Sequence, residues 1–161
     1  MSKKGLMLLV MMLAFWLGVA AQPASTGREL LKSLVEQYSE TKGVDGMVCT
    51  KGSGLEMIKM VLRKDFGKEF IKGVDMIIII DYSKADKSVA EDIRTQTNTL
   101  AKNYEQKELP DDITEGNYMR NYFKLNDNKD AIADMIILME NAEVKSVIYF
   151  GGEMRGEPKA K

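Results

Sequence analysis

Five consecutive residues, Met76-Ile77-Ile78-Ile79-Ile80, restrict this chain more than any others. Adjacent β-branched side chains favour an extended backbone, because a branch at Cβ crowds the preceding turn of a helix. No polar residue alternates with the apolar ones, so both faces of the strand need cover and it belongs inside a sheet. Asp75 and Asp81 bracket the run and discourage it from pairing with another copy of itself. The rest of the chain must therefore supply neighbouring strands and the helices that cover them.

Those elements can be read on either side. Leu30, Leu31, Leu34, Val35 and Tyr38 recur at helical spacing, behind a Thr26 to Glu29 capping box in which a hydroxyl and a carboxylate satisfy free N–H groups. Val44 to Thr50 reads as a short strand. Lys51-Gly52-Ser53-Gly54 turns the chain into a helix with Leu55, Ile58, Val61 and Leu62 on one face and a second box at Ser53 and Glu56. Phe66, Phe70 and Ile71 extend that face past a break at Gly67. After the central strand, Ser83 with Asp86 gives a third box, and a helix from about Lys84 to Asn103 carries Val89, Ile93, Leu100 and Tyr104. Tyr104 to Gly116 is a polar loop with room for a brief edge strand. Three alternating runs follow, joined by turns at Asn126-Asp127-Asn128-Lys129 and Asn141-Ala142-Glu143, which is the pattern of an antiparallel meander. Gly151-Gly152 is expected to end the last strand, and a polar tail begins near Met154. Alternating helices and strands followed by a run of strands imply an α+β fold: a mixed, mainly antiparallel sheet of about five strands ending in a three-stranded meander, with helices packed on one face.

The N-terminus has a different character. Lys3 and Lys4 precede an apolar run from Leu6 to Leu17, and Gly18-Val19-Ala20-Ala21 supplies the small residues a signal peptidase needs. About 12 apolar residues span roughly 18 Å of helix, against about 30 Å of bilayer hydrocarbon. A cleaved export signal over residues 1–21 is therefore expected, with one domain over residues 22–161. The only Cys is Cys49, so the lipid-attachment Cys of a lipoprotein signal is missing. The expectation is a periplasmic or secreted protein, soluble after cleavage, that meets the membrane only through the signal before it is cut.

Composition narrows the chemistry. The chain has no His, which removes the commonest general base, the commonest metal ligand and every Ser-His or Cys-His nucleophile. Its net charge is −1, and loss of Lys3 and Lys4 takes the exported chain to about −3. Neither a basic excess nor a basic patch interleaved with aromatics is present, which argues against nucleic-acid binding. A single Cys forms no internal disulfide; Cys49, next to Met47 and Val48, is expected as a buried small hydrophobe, with a reactive thiol or an intermolecular bridge as alternatives.

Three stretches carry a resemblance. Gly43-Val44-Asp45-Gly46-Met47-Val48, Gly73-Val74-Asp75 with the isoleucine run, and the meander from Tyr118 to Val147-Ile148-Tyr149-Phe150-Gly151-Gly152 together resemble a bacterial family known as domain of unknown function 4252. The likeness would cover most of the exported chain. It implies a signal-bearing protein of Gram-negative bacteria, but no activity and no functional residues.

Candidate sites remain few. Asp81 and Asp86, with Tyr82 and Ser83, sit where the central strand ends, a common ligand position in α/β sheets, and paired carboxylates there could serve as acid and base. Strand-end gatekeeping and helix capping account for the same residues. Tyr118, Arg120 and Tyr122 share one strand face whose composition suits a binding surface, or equally a row packed beneath helices. The Lys51 to Gly54 turn could cradle an anion but lacks the spacing of a phosphate loop. Asp111, Asp112 and Glu115, and Asp127 with Asp130, fall short of calcium-loop spacing. The methionines, including Met47, Met57 and Met60, read as core filler. No metal or cofactor is expected. The sequence favours a non-enzymatic binding or interaction module of the cell envelope, whose partner is an envelope protein. A carboxylate-dependent periplasmic hydrolase and a regulatory component acting through a membrane partner are the alternatives.

Overall fold

The isoleucine run does form an interior strand. The structure, a computed structural model, describes residues 27–107 and 118–156. In it β2 (Val74–Asp81) lies between β1 (Asp45–Cys49) and the long C-terminal strand β6 (Lys145–Met154). The meander completes the sheet with β5 (Ile132–Glu140), β4 (Tyr118–Leu125) and the three-residue edge strand β3 (Glu105–Lys107), in the order β1-β2-β6-β5-β4-β3. The protein is α+β with a C-terminal meander, and every pairing in the sheet is antiparallel rather than mixed.

Four helices cover this sheet: α1 (Gly27–Gln37), α2 (Gly52–Phe66), α3 (Lys68–Lys72) and α4 (Lys87–Ala101). They divide between its two faces, which corrects the expectation of a single helical layer. On one face Leu31 and Leu34 of α1 and Ala90 and Ile93 of α4 pack on Met76, Ile78 and Ile80, with Ile136, Leu138, Val147 and Tyr149 beside them. On the other, Leu55 of α2 and Phe70 and Ile71 of α3 pack on Val74, Ile77, Ile137 and Phe150. Phe66 and Phe70 both meet the Phe150 ring edge-on, with centroids 5.1 and 6.4 Å away. The division follows from the unbroken apolar strand: successive side chains point to opposite faces, so two helical layers are required to bury them. Each fully buried Ile of this kind contributes roughly 1.5–3 kcal/mol.

Element ends account for the remaining differences. A register shift between Val74 and Met76 against Gly152 and Gly151 breaks the alternation, and it turns Val74 towards α2 and α3 while Met76 faces α1 and α4. β6 does not stop at Gly151-Gly152 but continues to Met154, whose side chain is fully buried; the polar tail therefore begins later than expected. α2 starts at Gly52 with Lys51 as its N-cap and without a side-chain cap bond, so Ser53 lies inside the helix and the Ser53 to Glu56 box does not form. α4 starts at Lys87 with Asp86 at its N-cap position, again without a side-chain bond, and the Ser83 to Asp86 box is likewise absent. Thr26 lies outside the described residues, as does the loop containing Asp111, Asp112 and Glu115.

A lysine supplies one junction that hydrophobic patterning did not indicate. Lys59, 8 % exposed, points inward from α2. Its Nζ donates to the carbonyls of Lys72 and Val74 at 3.3 and 3.0 Å. A cation there meets the unpaired carbonyl end of α3 and ties three elements together.

Candidate functional site

Two of the expected site residues, Asp81 and Tyr122, are engaged in structural contacts. Asp81 Oδ1 accepts the Ser83 N–H at 2.9 Å and the Ser83 hydroxyl at 2.6 Å, closing the turn after β2. Ser83 Oγ in turn accepts the N–H of Lys145, which fastens that turn to the start of β6. Asp86 is exposed at the head of α4, and no hydrogen bond or ion pair joins it to Asp81 among the described residues. The acid and base pair imagined there is not assembled. Tyr122 is buried at 7 % exposure beneath α4, its hydroxyl donating to Asn98 Oδ1 at 3.3 Å. Tyr122 is thus a core residue, whereas Arg120 is exposed; Tyr118 sits in β4 opposite Glu140, and its side chain lies outside the described residues. Asp130 is occupied by its own hairpin, taking hydrogen bonds from Asn126 Nδ2 at 2.7 Å and facing Arg155 at 3.1 Å. Among the described residues no group of three carboxylate or thiol ligands gathers as a metal site.

The structure instead gathers polar groups under α1 and α4. Alternation in β5 puts Asp134 and Glu140 in the same row as the buried Ile136 and Leu138. Each of the two carboxylates takes a hydrogen bond from a fully buried tyrosine: Tyr149 donates to Asp134, and Tyr82 to Glu140 at 2.8 Å. Arg94 of α4 adds an ion pair to Glu140 at 3.1 Å. A third pair, Tyr38 donating to Asp92, joins the chain just after α1 to α4, with Gln96 donating to Asp92 at 3.0 Å. Burial, reinforced by the Asp92 hydrogen bond, pushes the Tyr38 hydroxyl up to about 12.

At one end of this face lies a groove of about 500 Å³ between α1 and α4. Leu30, Leu34 and Leu100 give it an apolar floor, and Gln37, Gln96 and Asn103 are among the amides on its rim. Its sheet end is formed by Tyr104, Lys124 and Asp134. Burial is the main cause of a rise in the Tyr104 hydroxyl well above the usual tyrosine range, with the Asp134 charge adding to it. Burial does the same to Tyr149, again with Asp134 as the second cause. Both hydroxyls therefore stay protonated rather than acting as bases, and Tyr149 donates its proton to Asp134.

Two glycines make room for the tyrosines, Gly27 in the groove lining and Gly151 behind Tyr149. A Cβ on Gly27 would stand 1.9 Å from the Tyr104 hydroxyl oxygen, which accepts the Gly27 N–H. A Cβ on Gly151 would stand 2.6 Å from the Tyr149 hydroxyl oxygen and 2.7 Å from an Arg28 guanidinium nitrogen. Arg28 crosses this gap to hydrogen-bond Tyr149 and to pair with Asp75 at 2.9 Å. No protein-family model, no curated protein and no solved structure matches the chain.

Sequence reasoning missed Arg28, Tyr104, Asp134 and Tyr149 as one cluster. One signal was present: Asp134 and Glu140 interrupt an otherwise apolar row of β5. A carboxylate in a buried row needs a donor, and the tyrosines supply it. Which tyrosines do so depends on the β5–β6 register and on where α1 and α4 land.

Proposed function

We propose that the protein is a non-enzymatic binding module of the bacterial cell envelope, and that it recognises an extended protein segment in the groove between α1 and α4. The observation that carries this reading is the groove itself: an apolar floor flanked by neutral amide and hydroxyl groups, with Tyr104, Lys124 and Asp134 at one end. Such a lining buries apolar side chains while satisfying backbone N–H and C=O groups, which is what a bound segment requires. The Asp134 carboxylate at the groove supports binding over catalysis, since it already accepts the Tyr149 hydroxyl. The three-part N-terminus, charge then apolar run then small residues, supports export to the envelope. Among the described residues no helix is long and apolar enough to cross a membrane.

The test is co-purification from the envelope fraction with a tagged chain and with a Thr99→Arg variant. Thr99 is exposed and lines the groove, so a long side chain there obstructs it without entering the core. The expected outcome is a partner recovered with the native chain and lost with the variant. Equal recovery with both, or recovery of nothing by either, would count against the groove as a binding site.

A further inference from the structure

The outer face of α2 is apolar where a solvated helix would be polar. Met57, Met60 and Val61 are 64, 62 and 67 % exposed, the highest values among the exposed large hydrophobic residues. At about 100° per residue these three share a side with Lys64, opposite the stripe of Leu55, Ile58, Leu62 and Phe66 that packs on the sheet. Two of the expected core methionines and one expected core valine therefore face outward. Met47 of β1, 40 % exposed, lies on the same side of the sheet as α2, since Cys49 two residues on joins the α2 cluster. A helix apolar on two opposite faces is one whose second face is covered in use.

Charge indicates what covers it. Lys51, Arg63, Lys64, Lys68 and Lys72 are all exposed on or beside α2 and α3. The acids of the same stretch are Glu56, Asp65 and Glu69, and Glu56 is paired with buried Lys59 at 3.4 Å. The segment is therefore net positive within a chain that is net negative. A second copy bringing the same face would place like charges together, whereas an anionic surface would neutralise them. We propose that this face docks on an anionic lipid surface, with Met57, Met60 and Val61 entering the headgroup boundary and the basic side chains resting on phosphates. The helix presents convex side chains rather than a cleft, and flexible methionines adapt to a fluid partner that offers no fixed shape. The site is on the opposite side of the sheet from the groove, so it stands or falls separately from the binding function proposed above. It adds a membrane contact that the sequence reading confined to the export signal.

The experiment is flotation of the exported chain, starting at Gln22, with vesicles of phosphatidylcholine alone or of phosphatidylcholine mixed with phosphatidylglycerol. Binding to the mixed vesicles only, weakening as salt is raised, is the expected result. The triple variant Met57→Ser, Met60→Ser, Val61→Ser should lower that binding by about tenfold or more, and Lys64→Glu should lower it too. Because these side chains are exposed, an unchanged unfolding midpoint would show that the variants fold. Failure to bind the mixed vesicles, or equal binding by the triple variant, would overturn the proposal. So would a native dimer that the triple variant converts to monomer, or capture of an acidic protein by this face without vesicle binding.

Discussion

At Gly27 the hydroxyl of Tyr104 occupies the space a side chain would need. Gly27→Ala should therefore push the Tyr104 ring away, reshape the closed end of the groove and cost about 1–3 kcal/mol, typical of an overpacked site. A lowered urea midpoint together with changed tyrosine fluorescence would register both effects; an unchanged midpoint would show that the ring moves freely. Tyr149→Phe tests the neighbouring contact from the other direction. It removes the donor to Asp134 and the acceptor for Arg28 while keeping the ring. A loss of about 1–3 kcal/mol is expected, because the half-buried Asp134 carboxylate and the Arg28 guanidinium both lose the hydroxyl between them. The same free energy in the native and variant proteins would mean that water replaces the hydroxyl.

Between elements, the most sensitive junctions are β2 with its two helical layers and α2 with the end of α3. Ile78 is 1 % exposed on the α1 and α4 side, and Ile78→Ala should cost about 2–5 kcal/mol by lost transfer and cavity terms. That is a large share of the roughly 5–15 kcal/mol that holds a domain folded. Lys59→Ala removes the donor to two carbonyls and frees α2 from the junction with α3 and β2. A loss of roughly 1–3 kcal/mol is expected by equilibrium denaturation, with faster amide exchange in α2 and α3 than elsewhere. Uniform exchange across the chain would argue against a local role for the lysine.

For the whole molecule, three tyrosines contribute to the response to alkali. Tyr38, Tyr104 and Tyr149 all have raised hydroxyl values, Tyr38 to about 12 from 10.0. The folded state holds these protons more tightly than the unfolded chain, so the stabilisation they give is complete below the ordinary value. For Tyr38 it is lost as pH rises from 10.0 through about 12, and for Tyr104 and Tyr149 the loss continues to higher pH. Urea midpoints should accordingly be flat with respect to these groups near neutrality and fall above pH 10.0, and Tyr149→Phe should fall less steeply. Export is checked at the same scale: protein recovered from the producing cell should begin at Gln22, whereas a sequence beginning at Met1 or Ser2 would rule out cleavage.

What the sequence determined by itself was local. The isoleucine run has only one backbone that suits it, and the alternating segments with their Asn-rich turns admit only antiparallel neighbours, so strand identity and the meander were legible. The two-faced apolarity of Met76 to Ile80 already requires cover on both sides, whereas the order of elements alone points to a single helical layer. The Ser53 and Ser83 capping boxes do not form because a hydroxyl three residues before a carboxylate does not fix where a helix starts: Ser53 lies inside α2, and Ser83 binds Asp81 in the turn after β2. Only the tertiary structure decided the rest. A tyrosine in the sequence is compatible with core or surface until the register of β5 against β6 brings Tyr149 over Asp134, and a methionine at helical spacing looks like core until the helix is docked. Met57 and Met60 face outward because Leu55, Ile58, Leu62 and Phe66 fill the one side of α2 that can reach the sheet. Long-range position sets which of two equally apolar faces is buried, and no local pattern contains that information.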